Sequence, residues 1–509
     1  MTSASPTNIP RPADLESAQL LIATLSEQLT LSARKIALLQ HELEKLLRRL
    51  YGHKTERVDP RQLALALEGL GLPVPRPFED DACEVPRLAK PRRGRSTGRQ
   101  PLPKHLPRER VVLDVSESEK VCACGRTKVR MGAEVTEKLD YEPASFKVRE
   151  IERPCYACPK CHEGVSVAPL PAQAVEKGLA AEGLLAQVVV AKYADHLPLA
   201  RQEKIYARHG VDLSRSTLCG FVEQVADALA PIVVEMKRQN LASDYLQTDD
   251  TPVVVLAETG GTFKGRVWVY LDPLGRQVVF DATPTHERDG PLEFLKGFRG
   301  RLQADAYAGY DALFRGGGIE EIGCWAHARR RFVEALETDA RAATIVSLIQ
   351  ELYAVERDAA ESSADARHAL RQERSRLSMA KLDVARKNLT SEVLPKSPLG
   401  DALRYLDNQW QALMRYLEDG RLKIDNNGAE SQLRAVAVGR KNWLFAGSMS
   451  GAQRAAVLYS LVQSCRLASI DPFLYFRDVL LRVATHPQSR IAELTPQAWT
   501  RAFASEHTR

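Results

Sequence analysis

The 509-residue chain lacks several features that would place it quickly. No apolar run approaches the roughly 18 residues that a membrane span needs, so no membrane partner is expected. The opening MTSASPTNIPRP has no apolar core that could serve as a targeting segment. The nine cysteines are odd in number, and five of them crowd between Cys122 and Cys161. That pattern, without a leader, argues against a disulfide framework and for a reducing compartment. A strong excess of one charge is missing too: 71 cations against 65 anions leave a net charge of +6. Such a balance is mild for a nucleic-acid binder, so the placement of charge matters more than its sum. The expected location is cytoplasmic.

What is present is an ordinary globular composition, 44% hydrophobic and 27% charged, and a length that suits roughly three to four domains. From Ala18 to Leu50, steps of four and three pass through Ile22, Leu25, Leu29, Ser32, Ile36, Leu39, Leu43 and Leu46. A 3.5-residue period of this length predicts a coiled-coil helix over 14–52 that self-associates. The alternative is one helix packed on its own domain. Residues 53–110 then turn rich in Pro and Arg. Between Arg87 and Lys104 there are seven cations and no acid. Arg92, Arg93, Arg95 and Arg99 suit phosphate neutralisation, although a plain solvated linker has the same composition.

Residues 111–175 hold the cysteine cluster. Cys158 and Cys161 form a C-x-x-C knuckle, and Cys122 and Cys124 form a tighter pair more than thirty residues earlier. Four thiolates suit a structural tetrahedral zinc ion, with Cys155 as a spare; the alternative is a set of thiols in a small core. Over 176–240, LPLARQEKIYARHG ends on Gly210, and Ser214 or Ser216 begins TLCGFVEQVADAL. The spacing fits a helix-turn-helix-like DNA-binding segment, or equally a bare helical hairpin.

The period changes at Tyr245. YLQTDDTPVVVL, RVWVYLD, RQVVFDAT, GRLQADAY and EIGCWAH read as strands, with a short helix at PLEFLKGF. These make an α/β core over 241–331. A long polar helical insertion follows over 332–420, then a helix bearing Glu430 over 421–450, and C-terminal helices over 451–509. Asp425, Asn426 and Asn427 are residue types that cap helix starts, and Arg434, Arg440 and Lys441 follow Glu430 as candidate phosphate contacts. Asp249 and Asp305 are expected at strand ends. Three carboxylates brought together repel one another unless a cation neutralises them. Two Mg²⁺ ions (or Mn²⁺) about 3.5–4 Å apart would suit an in-line phosphoryl displacement. Cys324 and His327 could position a strand end, touch metal or substrate, or merely pack.

Taken in order, LPRERVVLD, KYADHLPLARQEKIYARHGVDLSRSTL, TDDTPV, LQADAYAGYDAL, GCWAHARRRFVEA, DNNGAESQLRAVAVGRKNWLFAGS and LYSLVQSC resemble the transposases of the insertion-sequence-66 group. The resemblance covers nearly the whole chain. It implies a multidomain α+β protein with a leucine-zipper start, a zinc finger and a DDE-type, RNase H-like catalytic domain carrying a helical insertion. It places the three acids on Asp249, Asp305 and Glu430. It further implies that element ends and target DNA are the substrates, and that small accessory proteins of the same element take part. Three departures stand out. Asp250 follows Asp249 where the group usually has Glu, Ser431 follows Glu430 where it usually has Arg, and the first cysteine knuckle is one residue short. A DNA-binding relative without catalysis, and a nuclease without strand transfer, are the rival readings.

Overall fold

A computed structural model of the chain describes residues 19, 24–29, 32, 35–36, 146, 148, 155–156, 166–167, 172–175 and 179–503. Arg92, Arg93, Arg95, Arg99, Cys122, Cys124, Cys158 and Cys161 lie outside the described residues, as does most of the predicted coiled coil. The described residues of that stretch are helical, and Leu25, Leu29 and Ile36 of its apolar seam are exposed. Two short strands, β1 (Cys155–Tyr156) and β2 (Ser166–Val167), pair antiparallel at the end of the cysteine region.

Three helices come next: α1 (Glu182–Tyr193), α2 (Leu199–Arg208) and α3 (Arg215–Leu241). Ser214 caps α3 by accepting from the Thr217 N–H. α3 does not stop as a short recognition helix would. It runs 27 residues through Pro231, and by length and composition alone it could cross a membrane. Its apolar residues, among them Leu218, Val225, Leu229, Ile232 and Met236, are instead buried in the core shared with the sheet.

The sheet has five strands in the order β5-β4-β3-β6-β7. β3 (Tyr245–Leu256), β4 (Thr262–Asp272) and β5 (Gln277–Thr283) form an antiparallel meander. β6 (Gly300–Gln303) and β7 (Ile319–Ile322) extend it in parallel, with α4 (Asp289–Phe294) and α5 (Asp311–Arg315) in the connections. β6 covers only Tyr245 to Gln247 of β3. From Thr248 to Val253 that side of β3 has no strand partner, which is how Pro252 fits inside a strand without breaking a ladder.

β5 is an edge strand, and edges leave backbone groups to satisfy. Helix α13 (Met449–Leu467) lies along it. The Ser464 hydroxyl accepts from Val278 N–H and donates to the Val278 carbonyl, both at 3.0 Å, and the Ser460 hydroxyl accepts from Phe280 N–H at 2.8 Å. Both serines are fully buried. α14 (Pro472–Arg482) and α15 (Pro496–Phe503) complete this side, both contributing to the same core.

The insertion is helical throughout: α6 (Trp325–Leu336), α7 (Ala342–Asp358), α8 (Ala364–Leu370), a π-helical turn at Arg371–Ser375, α9 (Arg376–Glu392), α10 (Pro398–Asn408) and α11 (Trp410–Met414). It has its own apolar core, built on Trp325, Phe332, Ile349, Leu382 and Leu406. The fully buried Arg371 ties it to the chain that leads into the last helix of the site, α12 (Asn427–Trp443). Arg371 donates bidentately to Glu356 at 2.7 Å and also to the carbonyls of Tyr416, Asp419 and Leu422.

Candidate active site

Asp249 is the fifth residue of the twelve in β3, not the last, so the expected strand end is corrected to mid-strand. Asp305 stands two residues beyond β6. Its carboxylate accepts the Tyr307 N–H at 3.1 Å across Ala306, which has the left-handed φ of 64°. Glu430 lies in the first turn of α12. Burial pushes the Asp249 carboxyl up to about 8, and the charges of Asp305, Glu430 and Asp250 push the same way. Asp305 and Glu430 thus lie within electrostatic reach of Asp249, although 181 residues separate Asp249 from Glu430.

Asp250 points away from this group, as strand alternation requires. Its carboxylate is held by Arg266 at 2.8 Å and His286 at 3.1 Å. His286 in turn stacks on Tyr307 at 4.3 Å between ring centroids. The departure at position 250 therefore adds an ion pair on the other face rather than a fourth carboxylate in the site.

Glu430 has His327 Nε2 3.5 Å from one carboxylate oxygen and an Arg330 nitrogen 3.9 Å from the other. The oxygen near His327 is buried and accepts no hydrogen bond. Among the described residues no three His, Cys, Asp or Glu side chains already stand as a metal-coordinating group. The donor set nevertheless fits a hard divalent ion in kind: carboxylates on three elements, one with a buried oxygen unsatisfied.

Sequence reading missed the layer beneath the acids. Gln247, two residues before Asp249, donates to the Asp425 carbonyl at 3.0 Å and to the side-chain oxygen of Gln303 at 2.8 Å. Gln303, two residues before Asp305, donates to the carbonyls of Gly323 and Lys423, each at 3.0 Å. Tyr245 joins by donating to Gln303. Asn426, four residues before Glu430, donates to the Thr248 carbonyl at 2.8 Å, and its own N–H meets the Cys324 sulfur at 3.2 Å. Gln247, Gln303 and Asn426 are fully buried. Asn426 consequently makes no side-chain cap on α12, contrary to the capping expected of it. Asp425 accepts from the Tyr353 hydroxyl and the Asn427 amide instead. A side chain at Gly428 would put its first carbon 2.3 Å from the Gln247 amide oxygen, so glycine is what lets α12 approach β3.

Cys324 is a buried packing sulfur; burial pushes its thiol well up. Of the three cations on α12, Arg440 is turned inward, donating to the Thr251 hydroxyl at 2.8 Å and the Pro252 carbonyl at 2.6 Å. Arg434 and Lys441 are exposed.

The family described as "Transposase IS66 family" matches residues 177–454, which takes in the sheet, the insertion and α12. The chain belongs to that family. The flanks agree: residues 38–111 match "Transposase C of IS166 homeodomain", 119–162 "zinc-finger binding domain of transposase IS66" and 460–497 "IS66 C-terminal element". Two full-length relatives from Sinorhizobium fredii bear the names uncharacterized protein y4hP and y4jD. The first is 35% identical over 507 residues, covering 92% of this chain and 90% of its own. The second is 32% identical over 493 residues, covering 92% and 95%. No solved structure matches. The zinc-finger match contains all four predicted cysteine ligands.

Proposed function

We propose that this member of the family cuts and joins DNA itself, at a divalent-metal site formed by Asp249, Asp305 and Glu430. The observation that carries the reading is convergence: Asp249 on β3 is buried, which raises its carboxyl to about 8, and it lies within the field of Asp305 and Glu430 on two distant elements. Such an arrangement is costly for stability alone and is relieved by a cation. When bound, divalent ions would neutralise phosphate charge and favour ionisation of an attacking water or DNA 3′-hydroxyl. The protein's part is placement. The Gln247–Gln303 pair fixes the two strand acids, and Asn426 fixes the helix that bears Glu430. The mixed sheet flanked by helices is the scaffold that a DDE-type, RNase H-like core requires.

DNA contacts on this reading come from the basic stretch at Arg92, Arg93, Arg95 and Arg99 and from Arg434 and Lys441. Arg440 serves chiefly to pin α12 to β3. Cys122, Cys124, Cys158 and Cys161 hold a structural zinc ion, and the exposed seam at Leu25, Leu29 and Ile36 supports pairing of two N-terminal helices. The test is incubation of the full chain with labelled element-end DNA and Mg²⁺. Cleaved and joined products are expected, and Asp249→Asn, Asp305→Asn and Glu430→Gln should each abolish both. Cleavage without joining would select a nuclease; end binding without either product would select a non-catalytic relative.

A further inference from the structure

Helix α12 ends in a backbone conformation that leucine seldom takes. Leu444 has φ 65° and ψ −41°. The Phe445 N–H donates to the Trp443 carbonyl at 2.7 Å, closing a three-residue turn around Leu444. This is close to the rarer and strained form of the γ-turn, and strain of that kind persists only where the surroundings hold it. The holding contacts are plain. Ala446 N–H donates to the Val254 carbonyl at 2.8 Å, and Leu256 N–H donates to the Ala446 carbonyl at 3.0 Å, which stitches the turn's exit to β3. Arg440 clamps its entrance to Thr251 and Pro252.

The result is two large apolar side chains held toward solvent: Leu444 is 66% exposed and Phe445 45%. Nearly two turns back, Val438 is 44% exposed. Glu430, Arg434, Val438 and Lys441 follow one another at steps of four, four and three, so they share one face over roughly 16 Å of helix. Arg434 and Lys441 make no ion pair among the described residues. A face that buries against another protein would not ordinarily keep two uncompensated cations, whereas cations along a helix face with an exposed ring just past its end suit a nucleic-acid strand: phosphates meet the cations, and a base meets the ring.

We infer that the Leu444–Phe445 turn is a stacking platform for an unpaired base of a DNA end, whose phosphates run along Lys441 and Arg434 toward Glu430. The inference rests on the transposase reading and adds a preference to it: the site takes DNA whose end is opened rather than fully paired. The rigid γ-turn keeps the ring in place before DNA arrives, so little is lost in ordering it.

The experiment compares binding of the full chain, without divalent ions, to two duplexes of one sequence. One has blunt ends; the other has several unpaired terminal bases with 2-aminopurine at the first. Wild type should favour the opened end about tenfold, the scale of stacking one base on an aromatic ring, and should change the 2-aminopurine emission. Phe445→Ala and Leu444→Gly should bring the ratio of affinities near one, and Phe445→Trp should keep it. Glycine accepts the left-handed φ, so Leu444→Gly should melt no lower than wild type, which separates loss of the platform from loss of fold. Equal affinity of wild type for both duplexes, or an unchanged ratio in Phe445→Ala, would overturn the platform alone. Failure of wild type to bind either duplex would overturn the DNA reading with it. A change of oligomeric state in Phe445→Ala with the ratio intact would make this turn a protein interface instead.

Discussion

The side-chain amide of Asn426 donates to the backbone carbonyl of Thr248 at 2.8 Å. Thr248 immediately precedes Asp249, and Asn426 lies one helical turn before Glu430. One hydrogen bond therefore couples the strand bearing the first acid to the helix bearing the third, across 178 residues of sequence. Asn426→Ala leaves that buried carbonyl without its donor and should lower stability by about 1–3 kcal/mol in denaturant unfolding. Asn426→Asp puts a carboxylate against the carbonyl and should be worse. Both should depress strand transfer more than their stability loss explains, because the spacing of Asp249 and Glu430 is no longer fixed.

Asp249 makes the stability of the metal-free chain depend on pH. Its folded-state value of about 8 lies above the ordinary 3.8, so the native state favours the protonated acid. The stability tied to that proton is whole below about pH 4 and is lost as pH rises through about 8. Asp249→Asn cannot ionise. At pH 8 without metal it should be more stable than wild type by the order of 2 kcal/mol, allowing for solvent screening of a group that keeps some contact with water. Mg²⁺ should raise the melting temperature of wild type and not that of the variant. A variant that melts with the wild type across this range would remove Asp249 from the shared field.

Ser460 and Ser464 stand in for the strand that β5 lacks. Ser464→Ala strips Val278 of both partners, and Ser460→Ala strips Phe280 N–H. Each should cost about 1–3 kcal/mol, and amide hydrogen exchange should quicken at Val278 and Phe280 before it does in β3.

Arg371 is a buried cation with every partner in place. Arg371→Met leaves the Glu356 carboxylate and three carbonyls without their donor and should cost about 3–5 kcal/mol. Arg371→Lys should rescue little, because a lysine cannot match the bidentate fork to Glu356. Proteolysis should then open the loop around Asp419–Leu422 first.

Much of the scaffold was legible because it rests on local patterns. YLQTDDTPVVVL reads as a strand from its β-branched run, and the Ser214 cap and the polar helices of the insertion follow from residue type and spacing. What failed locally is instructive. Asp249 looks like a strand end, yet β3 runs on through Pro252 to Leu256, since β6 leaves that part of the strand uncovered and Pro252 costs no hydrogen bond. Asn426 looks like a helix cap, but its side-chain N–H is turned to the distant Thr248 carbonyl and its oxygen accepts from no helix N–H. Arg440 looks like a free cation, but the strand below supplies a hydroxyl and a carbonyl. Gln247 and Gln303 carry no signal at all, because an amide in a strand looks the same whether it meets water or another amide. Such partners become visible only once the fold has joined segments more than 50 residues apart. The three acids were singled out through motif resemblance, and the effect of Asp305 and Glu430 on Asp249 is visible only in the structure.

Asp249, Asp305 and Glu430, on the proposed function, grip the same divalent ions. Iron(II) substituted for Mg²⁺ in the full chain, with ascorbate and peroxide, cuts backbone beside its own ligands. Cuts should cluster at residues 249, 305 and 430, all suppressed together by excess Mg²⁺ and all lost in Asp249→Asn. Cuts that spare any one of the three positions, or that persist unchanged in the variant, would contradict it.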